Sequence, residues 1–359
     1  MVAVRDRVLA DQVRLVLAVR VVACACVAFV ACVPHGRDVR VLANVQHSGG
    51  GVAAVAGAVY FADADGIKRV PTGGGVPTIV VSATGVTAWV TDGVDVFWAS
   101  TDGTLSHALV ANGTAEVIGS VTSVDDLAID ATTIYVAGAS GGYDPRSGCT
   151  SFPSLFAVPR GGGTLVALAS SGSCSGGVLP RVAVDADSVY WLSGAALLQV
   201  PKSAPATART LARHDVSAYG GFASALAVDD ASVYVVGAAS DFVPGASTDP
   251  SVHCLFAIDK QSGVARQILC PPRDPHGNTY AGQIDINCLA VDDDRVYFGP
   301  DFWAVPKKDS TASPYRLAPF LLDDYSFESA ACSIALDASG VYELASGPSV
   351  GTVLGATSK

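Results

Sequence analysis

The sequence predicts an all-β fold: a seven-bladed β-propeller with four antiparallel strands in each blade. Three observations lead to this prediction. A short motif recurs seven times along the chain. Its copies are separated by about the length of one propeller blade. Each copy is followed by a second pair of strand-like runs, which makes four strands in each repeat.

The repeated motif consists of two or three apolar residues, an Asp, three turn-like residues and then Val-Tyr or a close variant. Five clear copies have their acid and aromatic residue at Asp130 and Tyr135, Asp185 and Tyr190, Asp229 and Tyr234, Asp292 and Tyr297, and Asp337 and Tyr342. Two weaker copies lie upstream, one with Asp92 and Phe97 and one in which Val55 replaces the Asp before Tyr60. Six intervals separate Tyr60 from Tyr342 over 282 residues, a mean of 47, and a blade has about 40 to 50 residues.

Each copy predicts two strands, because its runs are short, rich in Val, Ile and Tyr, and divided by turn residues. The Asp opens the turn, since its carboxylate accepts backbone N–H groups two residues further on. The runs are apolar on both faces, as expected for sheets covered on each side by neighbouring blades. Third strands that end in a Pro/Gly turn follow, for example 155–159, and then fourth strands such as 164–169 and 209–213.

The two ends of the repeat region predict how the ring closes. The seventh copy has a third strand near 352–355 and no residues left for a fourth. Residues 40–43, Arg-Val-Leu-Ala, resemble the fourth strands at 209–212 and 316–318. We therefore expect the N-terminal strand to complete the last blade, which leaves no open sheet edge at the seam.

The first 33 residues have the pattern of an export signal, with a basic start and a short apolar run at 21–33. The run ends in Phe29-Val30-Ala31-Cys32, which resembles a lipobox and makes Cys32 the candidate lipidation site. This assigns 1–31 to a signal peptide, 32–39 to an anchor linker and 40–359 to a single propeller domain. Cleavage before Cys24, cleavage without lipidation and an uncleaved anchor over 15–33 are the alternatives.

All of these alternatives export the protein. The predicted location is the periplasmic side of a bacterial membrane, as an outer-membrane lipoprotein. The formal net charge of -11 argues against nucleic acid as a partner, because phosphate binding needs a basic surface. We expect a monomer that contacts the membrane through its lipid anchor.

The cysteines fit an oxidising compartment. Three of the nine lie in the leader, and the remaining six are an even number. Two pairs lie equidistant from predicted hairpin turns, which places them side by side in an antiparallel pair; these are Cys149 with Cys174 and Cys254 with Cys270. Cys288 and Cys332 precede the first strands of adjacent blades and are predicted to bond to each other, with buried free thiols as the alternative.

Motifs for catalysis are few. The chain has no Walker loop and no HExxH motif, and its glycine runs at 73–75 and 161–163 lie in predicted hairpin turns. The acidic stretches 63–65 and 292–294 fall at repeat turns and do not continue as calcium-binding loops. The six histidines lack metal-ligand spacing. The sequence therefore predicts no catalytic residue, no metal site and no cofactor.

Extra sequence marks the predicted binding face. Residues 137–153 and 236–253 lengthen loops between the second and third strands, and 271–287 lengthen the link between blades 5 and 6. These loops should emerge at the end opposite the Asp turns, and loops on a rigid scaffold commonly carry binding residues; neutral loop drift is the alternative. The candidate residues are Tyr143, Asp144, Arg146, Asp241, His253, Arg273, Asp274, His276, Asn278 and Tyr280.

The Ala-Val-Asp…Val-Tyr-Trp and Val-Pro-x-Gly-Gly motifs resemble those of secreted bacterial propellers of the NHL, YVTN and TolB-like group, above all its propeller lipoproteins. The resemblance covers residues 40–359 and implies the fold. It suggests a binding or protein-interaction module at the cell envelope, whose partner is an envelope protein or polymer. The alternative is a propeller lyase or hydrolase with its site at the channel mouth, as in the related virginiamycin B-type lyases.

Overall fold

The computed structural model describes residues 39–46, 51–144, 149–171, 180–193, 196–213, 223–238, 253–270, 286, 288–299, 302–309, 313–317, 332–347 and 351–359. Only the backbone is described at 140–144, 149–151, 223–224, 238, 253, 332, 345–347 and 351–353. The chain divides into two units, 1–36 and 37–359, and the described residues belong to the second.

Seven four-stranded antiparallel sheets make up the described structure, and the predicted seven-bladed β-propeller is confirmed. Blade 1 contains β2 (Val52–Val55), β3 (Ala58–Asp63), β4 (Gly66–Pro71) and β5 (Thr78–Ser82). Blade 2 contains β6 (Val86–Thr91), β7 (Asp95–Ser100), β8 (Thr104–Leu109) and β9 (Glu116–Ser120). Blade 3 contains β10 (Ser123–Ile129), β11 (Thr133–Asp144), β12 (Cys149–Pro159) and β13 (Val166–Ser170).

The remaining blades follow the same order. Blade 4 contains β14 (Arg181–Val184), β15 (Ser188–Ser193), β16 (Ala196–Pro201) and β17 (Arg209–Arg213), with one short 3₁₀ turn, Pro205–Thr207. Blade 5 contains β18 (Ala223–Val228), β19 (Ser232–Ala238), β20 (His253–Asp259) and β21 (Ala265–Leu269). Blade 6 contains β22 (Cys288–Val291), β23 (Arg295–Gly299), β24 (Trp303–Pro306) and β25 (Tyr315–Arg316). Blade 7 contains β26 (Cys332–Leu336), β27 (Gly340–Gly347), β28 (Gly351–Ser358) and β1 (Arg40–Val45).

The alternation of strand direction gives the ring two ends. The turns after each first and third strand share one end, which we call the Asp-turn face because it carries the turns at Asp92, Asp130, Asp185, Asp229, Asp292 and Asp337. The loops after each second strand and the links between blades share the other end, which we call the loop-rich face. The first strands of neighbouring blades contact one another around the ring, so they form its inner wall.

The ring closes as predicted. β1 pairs antiparallel with β28 from Arg40 opposite Ala356 to Val45 opposite Thr352. Leu42 is buried in the cluster that contains Phe61 of blade 1 and Leu344 of blade 7. The N-terminal strand therefore supplies both the backbone pairing and part of the core at the seam.

The core lies between the blades. One cluster combines Leu192 and Leu197 of blade 4 with Val235 and Phe256 of blade 5, and similar clusters occupy the other junctions. The second strands are buried on both faces in this way, as in β15 and β3, which explains why they are mostly apolar. The outermost strands, such as β9 and β17, stay largely exposed. No helix in the described ranges has the length and apolar character needed to cross a membrane.

Several predicted boundaries were wrong. Most of 137–153 is not loop but strand, because β11 continues to Asp144 and β12 begins at Cys149 as a paired hairpin. The fourth strand of blade 3 begins at Val166 rather than at 164. The last strand runs from Gly351 to Ser358, since its whole length pairs with β27.

Candidate functional site

The predicted binding residues lie largely outside the described residues. Tyr143 and Asp144 end β11, and His253 begins β20; only their backbone is described. The others fall on stretches that the structure leaves undescribed, namely Arg146, Asp241, Arg273, Asp274, His276, Asn278 and Tyr280, as does the lipidation candidate Cys32. Their grouping into one site stays a prediction.

The hairpin of β11 and β12 extends beyond its own sheet at the loop-rich face. Pairing of β11 with β10 ends at Ala139, and pairing of β12 with β13 begins at Ser154. Beyond these residues, and as far as the described ranges extend, the two strands pair only with each other, up to Asp144 opposite Cys149. Five residues past Ala139 correspond to roughly 15 Å of ribbon, at about 3.3 Å per residue.

The flanks of the other two insertions reach the same face. Ala238 pairs with His253, so β19 ends and β20 begins on either side of the stretch 239–252. β21 ends at Leu269, and β22 starts at Cys288, on either side of the link between blades 5 and 6. The described flanks of all three insertions therefore lie at the loop-rich face, as the topology of an up-and-down blade requires.

Two adjacent acids lie on the inner wall near the loop-rich end. The register of β10 shifts between Val124 and Asp126, so Asp125 is the extra residue of a β-bulge. Bulges re-aim side chains and are common beside functional sites. Asp126 accepts hydrogen bonds from the N–H groups of Leu127 and Val182, both at 3.0 Å, and so connects blade 3 to blade 4.

The electrostatics of these acids favour retention of a proton. Burial raises the pKa of Asp126, and the nearby Arg181 guanidinium opposes this effect only in part. Burial also raises the pKa of Asp125, with Arg181 opposing and the Asp126 charge adding to the rise. A carboxyl of raised pKa suits proton transfer. This pair is not among the candidates predicted from the sequence, although two consecutive acids directly before the apolar run that starts at Leu127 were a visible signal.

Ion pairs connect neighbouring blades on the Asp-turn face. In each case a cation that follows the third strand of one blade contacts the turn acid of the preceding blade. The distances are 2.5 Å for Arg160 to Asp92, 2.7 Å for Lys202 to Asp130, 2.5 Å for Lys260 to Asp185, 2.5 Å for Lys307 to Asp229 and 3.3 Å for Lys359 to Asp292. We call these five contacts the interblade ties.

Each tie also contains an aromatic ring. The cation lies 5.0–5.8 Å from the centre of the ring five residues after the acid, which is Phe97 in blade 2 and a tyrosine in blades 3 to 6. The tyrosine hydroxyl donates to the same carboxylate, as Tyr297 does to Asp292 at 2.8 Å. Burial and this hydrogen bond raise the pKa of Tyr297 to about 12. The repeated Asp is therefore a structural residue that serves its turn, its tyrosine and the next blade.

A cleft of about 500 Å³ lies between blades 5 and 6 on the Asp-turn face. Its lining includes Asp229, Tyr234 and Lys307, which already form one interblade tie. Arg266 donates to the carbonyl of Lys307 at its edge. Asp229, Lys307 and Arg266 are thus occupied by contacts that hold blades 5 and 6 together.

The predicted disulfide between Cys254 and Cys270 is confirmed. Cys288 is also disulfide-bonded. It begins β22, next to the strand β26 that Cys332 begins, but the pairing of these two cysteines stays a prediction, as does that of Cys149 with Cys174. Within the described part of the chain, no group of three or more His, Cys, Asp or Glu is placed to hold a metal ion.

No known family model matches the sequence, and no curated protein matches it. Solved structures do match its fold. An oligogalacturonate lyase in complex with manganese is 12% identical with a TM-score of 0.64, over 91% of this chain and 94% of that one. An oligogalacturonate lyase from Vibrio parahaemolyticus is 11% identical with a TM-score of 0.57, over 92% and 95%.

Two further matches are parts of larger proteins. One is the extracellular domain of a putative one-component system from B. thetaiotaomicron, 13% identical with a TM-score of 0.55, over 88% of this chain and 40% of that one. The other is PorZ, a surface component of the type-IX secretion system of Porphyromonas gingivalis, 11% identical with a TM-score of 0.51, over 89% and 39%. At these identities the likeness shows the fold, which is the β-propeller found in these bacterial proteins.

Proposed function

We propose that this chain is an exported binding module, held at the cell envelope by its N-terminus, that meets an envelope protein or polymer with its loop-rich face. The observation that carries the proposal is the ribbon formed by 140–144 of β11 and 149–151 of β12. It projects from blade 3 beyond the sheet, and within the described part of the chain it pairs with no other strand.

The ribbon is suited to recognition because its outer backbone groups have no partner strand among the described residues. An isolated two-stranded ribbon is only marginally stable in water. A partner that adds a strand or packs along such an edge gains backbone hydrogen bonds and stabilises the ribbon.

The scaffold beneath the ribbon is held by the interblade ties. They cross every junction from blades 2 and 3 to blades 6 and 7. A ring fixed at so many junctions can present loops from different blades in a constant arrangement, which lowers the entropy cost of binding. The extracellular domain and the surface component among the similar structures are consistent with export.

Photo-crosslinking in intact cells tests the proposal. The probe is placed at Tyr143 and then at Tyr280, with exposed Ala186 on the Asp-turn face as the control. Asp185 is unsuitable as a control because its carboxylate is tied to Lys260. We expect a discrete adduct from the first two positions and none from Ala186. Equal adducts from all three positions would contradict recognition by the loop-rich face.

A matched deletion sharpens this test. Ser140 and Phe152 are paired directly, so an Asn-Gly turn can join them in place of 141–151 without changing the sheet. Cys174→Ser accompanies the deletion, because Cys149 is its predicted partner. The shortened protein should still fold. If the ribbon and the stretch 271–287 contact one partner, it should also lose the adduct at Tyr280.

A second candidate function is a propeller lyase or hydrolase at the channel mouth, favoured by the raised pKa of Asp125 and Asp126 beside Arg181. Since two similar structures are oligogalacturonate lyases, oligogalacturonate is the first substrate to test. Release of unsaturated product by the wild type but not by Asp125→Asn would favour the enzyme. No product from either protein would leave the binding module as the better proposal.

A further inference from the structure

Exposed apolar side chains are concentrated in three adjacent blades. Nine large hydrophobic side chains are exposed in the described part of the chain. Six of them belong to blades 7, 1 and 2, and we call these six the apolar sector: Val41, Val76, Ile79, Val94, Leu109 and Val117. Isolated exposed hydrophobic residues are ordinary, but a concentration in one region marks an interaction surface.

All six residues lie toward the Asp-turn face. Val94 is 65% exposed in the first turn of blade 2, and Val76 is 83% exposed in the turn between β4 and β5. Leu109 ends β8. The other three are the second residues of the outermost strands β1, β5 and β9. The sector therefore covers the corner between the Asp-turn face and the outer rim.

The same region is where the described ring lacks an interblade tie. At the junction of blades 1 and 2, Val55 stands in the place of the turn acid and Val110 in the place of the cation. A Cβ added at Gly93 would lie 3.2 Å from the Cβ of Ala56, so the two turns are in close contact. Valine and alanine thus continue the apolar surface where the other junctions carry charge.

The chain enters the propeller beside this sector. β1 begins at Arg40 on the Asp-turn face, and the Arg40 guanidinium donates to the carbonyls of Thr72 and Gly73 in blade 1. Only residues 33–39 separate Arg40 from Cys32, the candidate for lipidation. The eight residue steps from Cys32 to Arg40 span at most about 29 Å when fully extended. A lipid at Cys32 would hold a bilayer within that distance of blades 7 and 1.

Charge around the sector is compatible with an anionic bilayer. Arg40 and Arg69 are exposed at its border, and Glu116 is an exposed carboxylate within it. In the described residues, the other exposed turn carboxylates on the same face lie in blades 4 to 6, on the other side of the ring; they are Asp187, Asp230, Asp293, Asp294 and Asp309. A bilayer that contacts blades 7, 1 and 2 is therefore kept away from these acids by a tilt of the ring.

We propose that the apolar sector rests on the bilayer surface, so that the propeller stands tilted with its loop-rich face turned away from the membrane. The six apolar side chains enter the interface between headgroups and acyl chains, while Arg40 and Arg69 meet anionic headgroups. The proposal rests on the export and anchoring proposed above. It adds which surface meets the lipid and why the loop-rich face is free to meet a partner.

Fluorescence quenching by brominated lipids tests the contact. The full-length chain is isolated with its membranes and reconstituted in vesicles of phosphatidylethanolamine and phosphatidylglycerol. One fluorescent amino acid is introduced at Val94 or Val117 in the sector, at Thr84 on the loop-rich face, or at Ala186 on the Asp-turn face of blade 4; the two controls are exposed. We expect at least about twofold quenching at the two sector positions, as for side chains that enter the lipid interface, and little at the controls.

The outcomes separate the contact from the anchoring. Protein that floats with the vesicles but shows no quenching at Val94 and Val117 would overturn the contact and leave the anchoring intact. Protein that does not float would overturn both. Equal quenching at all four positions would overturn the orientation.

Paired substitutions show whether the sector itself causes the contact. With the probe at Val76, V94D/V117D should abolish the quenching, because two charges in the interface oppose insertion. V166D/V264D alters two exposed valines in blades 3 and 5 and should leave the quenching unchanged. If both variants behave alike, the apolar sector is not the surface that meets the lipid.

Discussion

Lys307 of blade 6 places its Nζ 2.5 Å from the carboxylate of Asp229 in blade 5 and 5.3 Å from the centre of the Tyr234 ring. The Tyr234 hydroxyl donates to the same carboxylate at 2.8 Å. The Asp229 carboxylate also accepts the N–H groups of Ala231 and Ser232, so it belongs at once to its own turn and to its neighbour's cation. Adjacent blades are joined through shared residues as well as through apolar packing.

Loss of the cation should weaken the junction between blades 5 and 6. The side chains of Lys307 and Asp229 are only 7% and 23% exposed. Lys307→Met leaves a carboxylate partly buried without its counter-charge, and we expect a loss of about 1–3 kcal/mol in the free energy of unfolding. Urea denaturation measures it. Lys308→Met changes an exposed neighbour and should have almost no effect; equal losses would contradict the importance of the tie.

Acid should destabilise the propeller through the same carboxylate. Burial works to raise the pKa of Asp229, but hydrogen bonds from Lys307, Tyr234 and the turn outweigh it and lower that pKa to about 2. An unfolded Asp has a pKa of about 3.9. The stabilisation is therefore complete above about pH 4 and is lost as the pH falls toward about 2.

The measurement is the free energy of unfolding as a function of pH. Asp229→Asn should be less stable than the wild type at neutral pH and should lose less between about pH 4 and pH 2. Asp230→Asn, at the next and exposed position, serves as the control. A variant at Asp229 whose pH profile parallels the wild type would refute this account.

The seam strand offers a pair of neighbouring residues for comparison. Leu42 is 6% exposed in the core between blades 7 and 1, whereas Val41 is 53% exposed. Leu42→Ala should cost about 2–4 kcal/mol, because it leaves a cavity in packed surroundings. Val41→Ala should cost under about 0.5 kcal/mol. Thermal unfolding compares the two variants. A loss for Leu42→Ala as small as that for Val41→Ala would show that β1 contributes little to the packing of the seam.

The disulfide of blade 5 should contribute measurably to stability. Cys254 and Cys270 are 16 positions apart, and closing a loop of that length stabilises a protein by about 3 kcal/mol. Cys254→Ala combined with Cys270→Ala should lower the urea midpoint by a corresponding amount. The double substitution is preferable to a reductant, since Cys288 is also disulfide-bonded. An unchanged midpoint would mean that the bond constrains neither the folded nor the unfolded chain.

The fold could be predicted because its signals are local and repeated. In blades 3 to 7 the Asp and the Tyr five residues later lie on one hairpin, so each of these blades is recognisable from a short stretch of sequence. The closing strand was recognisable because Arg40 and its neighbours repeat the composition of Arg209–Arg213.

The contacts between blades were harder to predict. Lys260 and Asp185 are 75 positions apart, and no pattern within a single repeat joins them. A signal did exist when repeats are compared. Blade 1 has Val55 in place of the turn acid, and blade 2 has Val110 in place of the cation that would pair with that acid, so both members of one tie are missing together. The position of Asp125 depends on a shift in strand register that composition does not reveal. The predicted binding residues near Tyr143 stay untested.

The pairing of β1 with β28 brings the two ends of the propeller together on one face. Arg40 lies opposite Ala356, only three positions before Lys359. A short peptide could therefore join position 359 to position 39, and the circle could be opened at a turn of another blade with every strand pairing kept. Circular permutants cut in this way should fold, because β1 pairs with β28 in the same antiparallel manner as β17 pairs with β16 in blade 4.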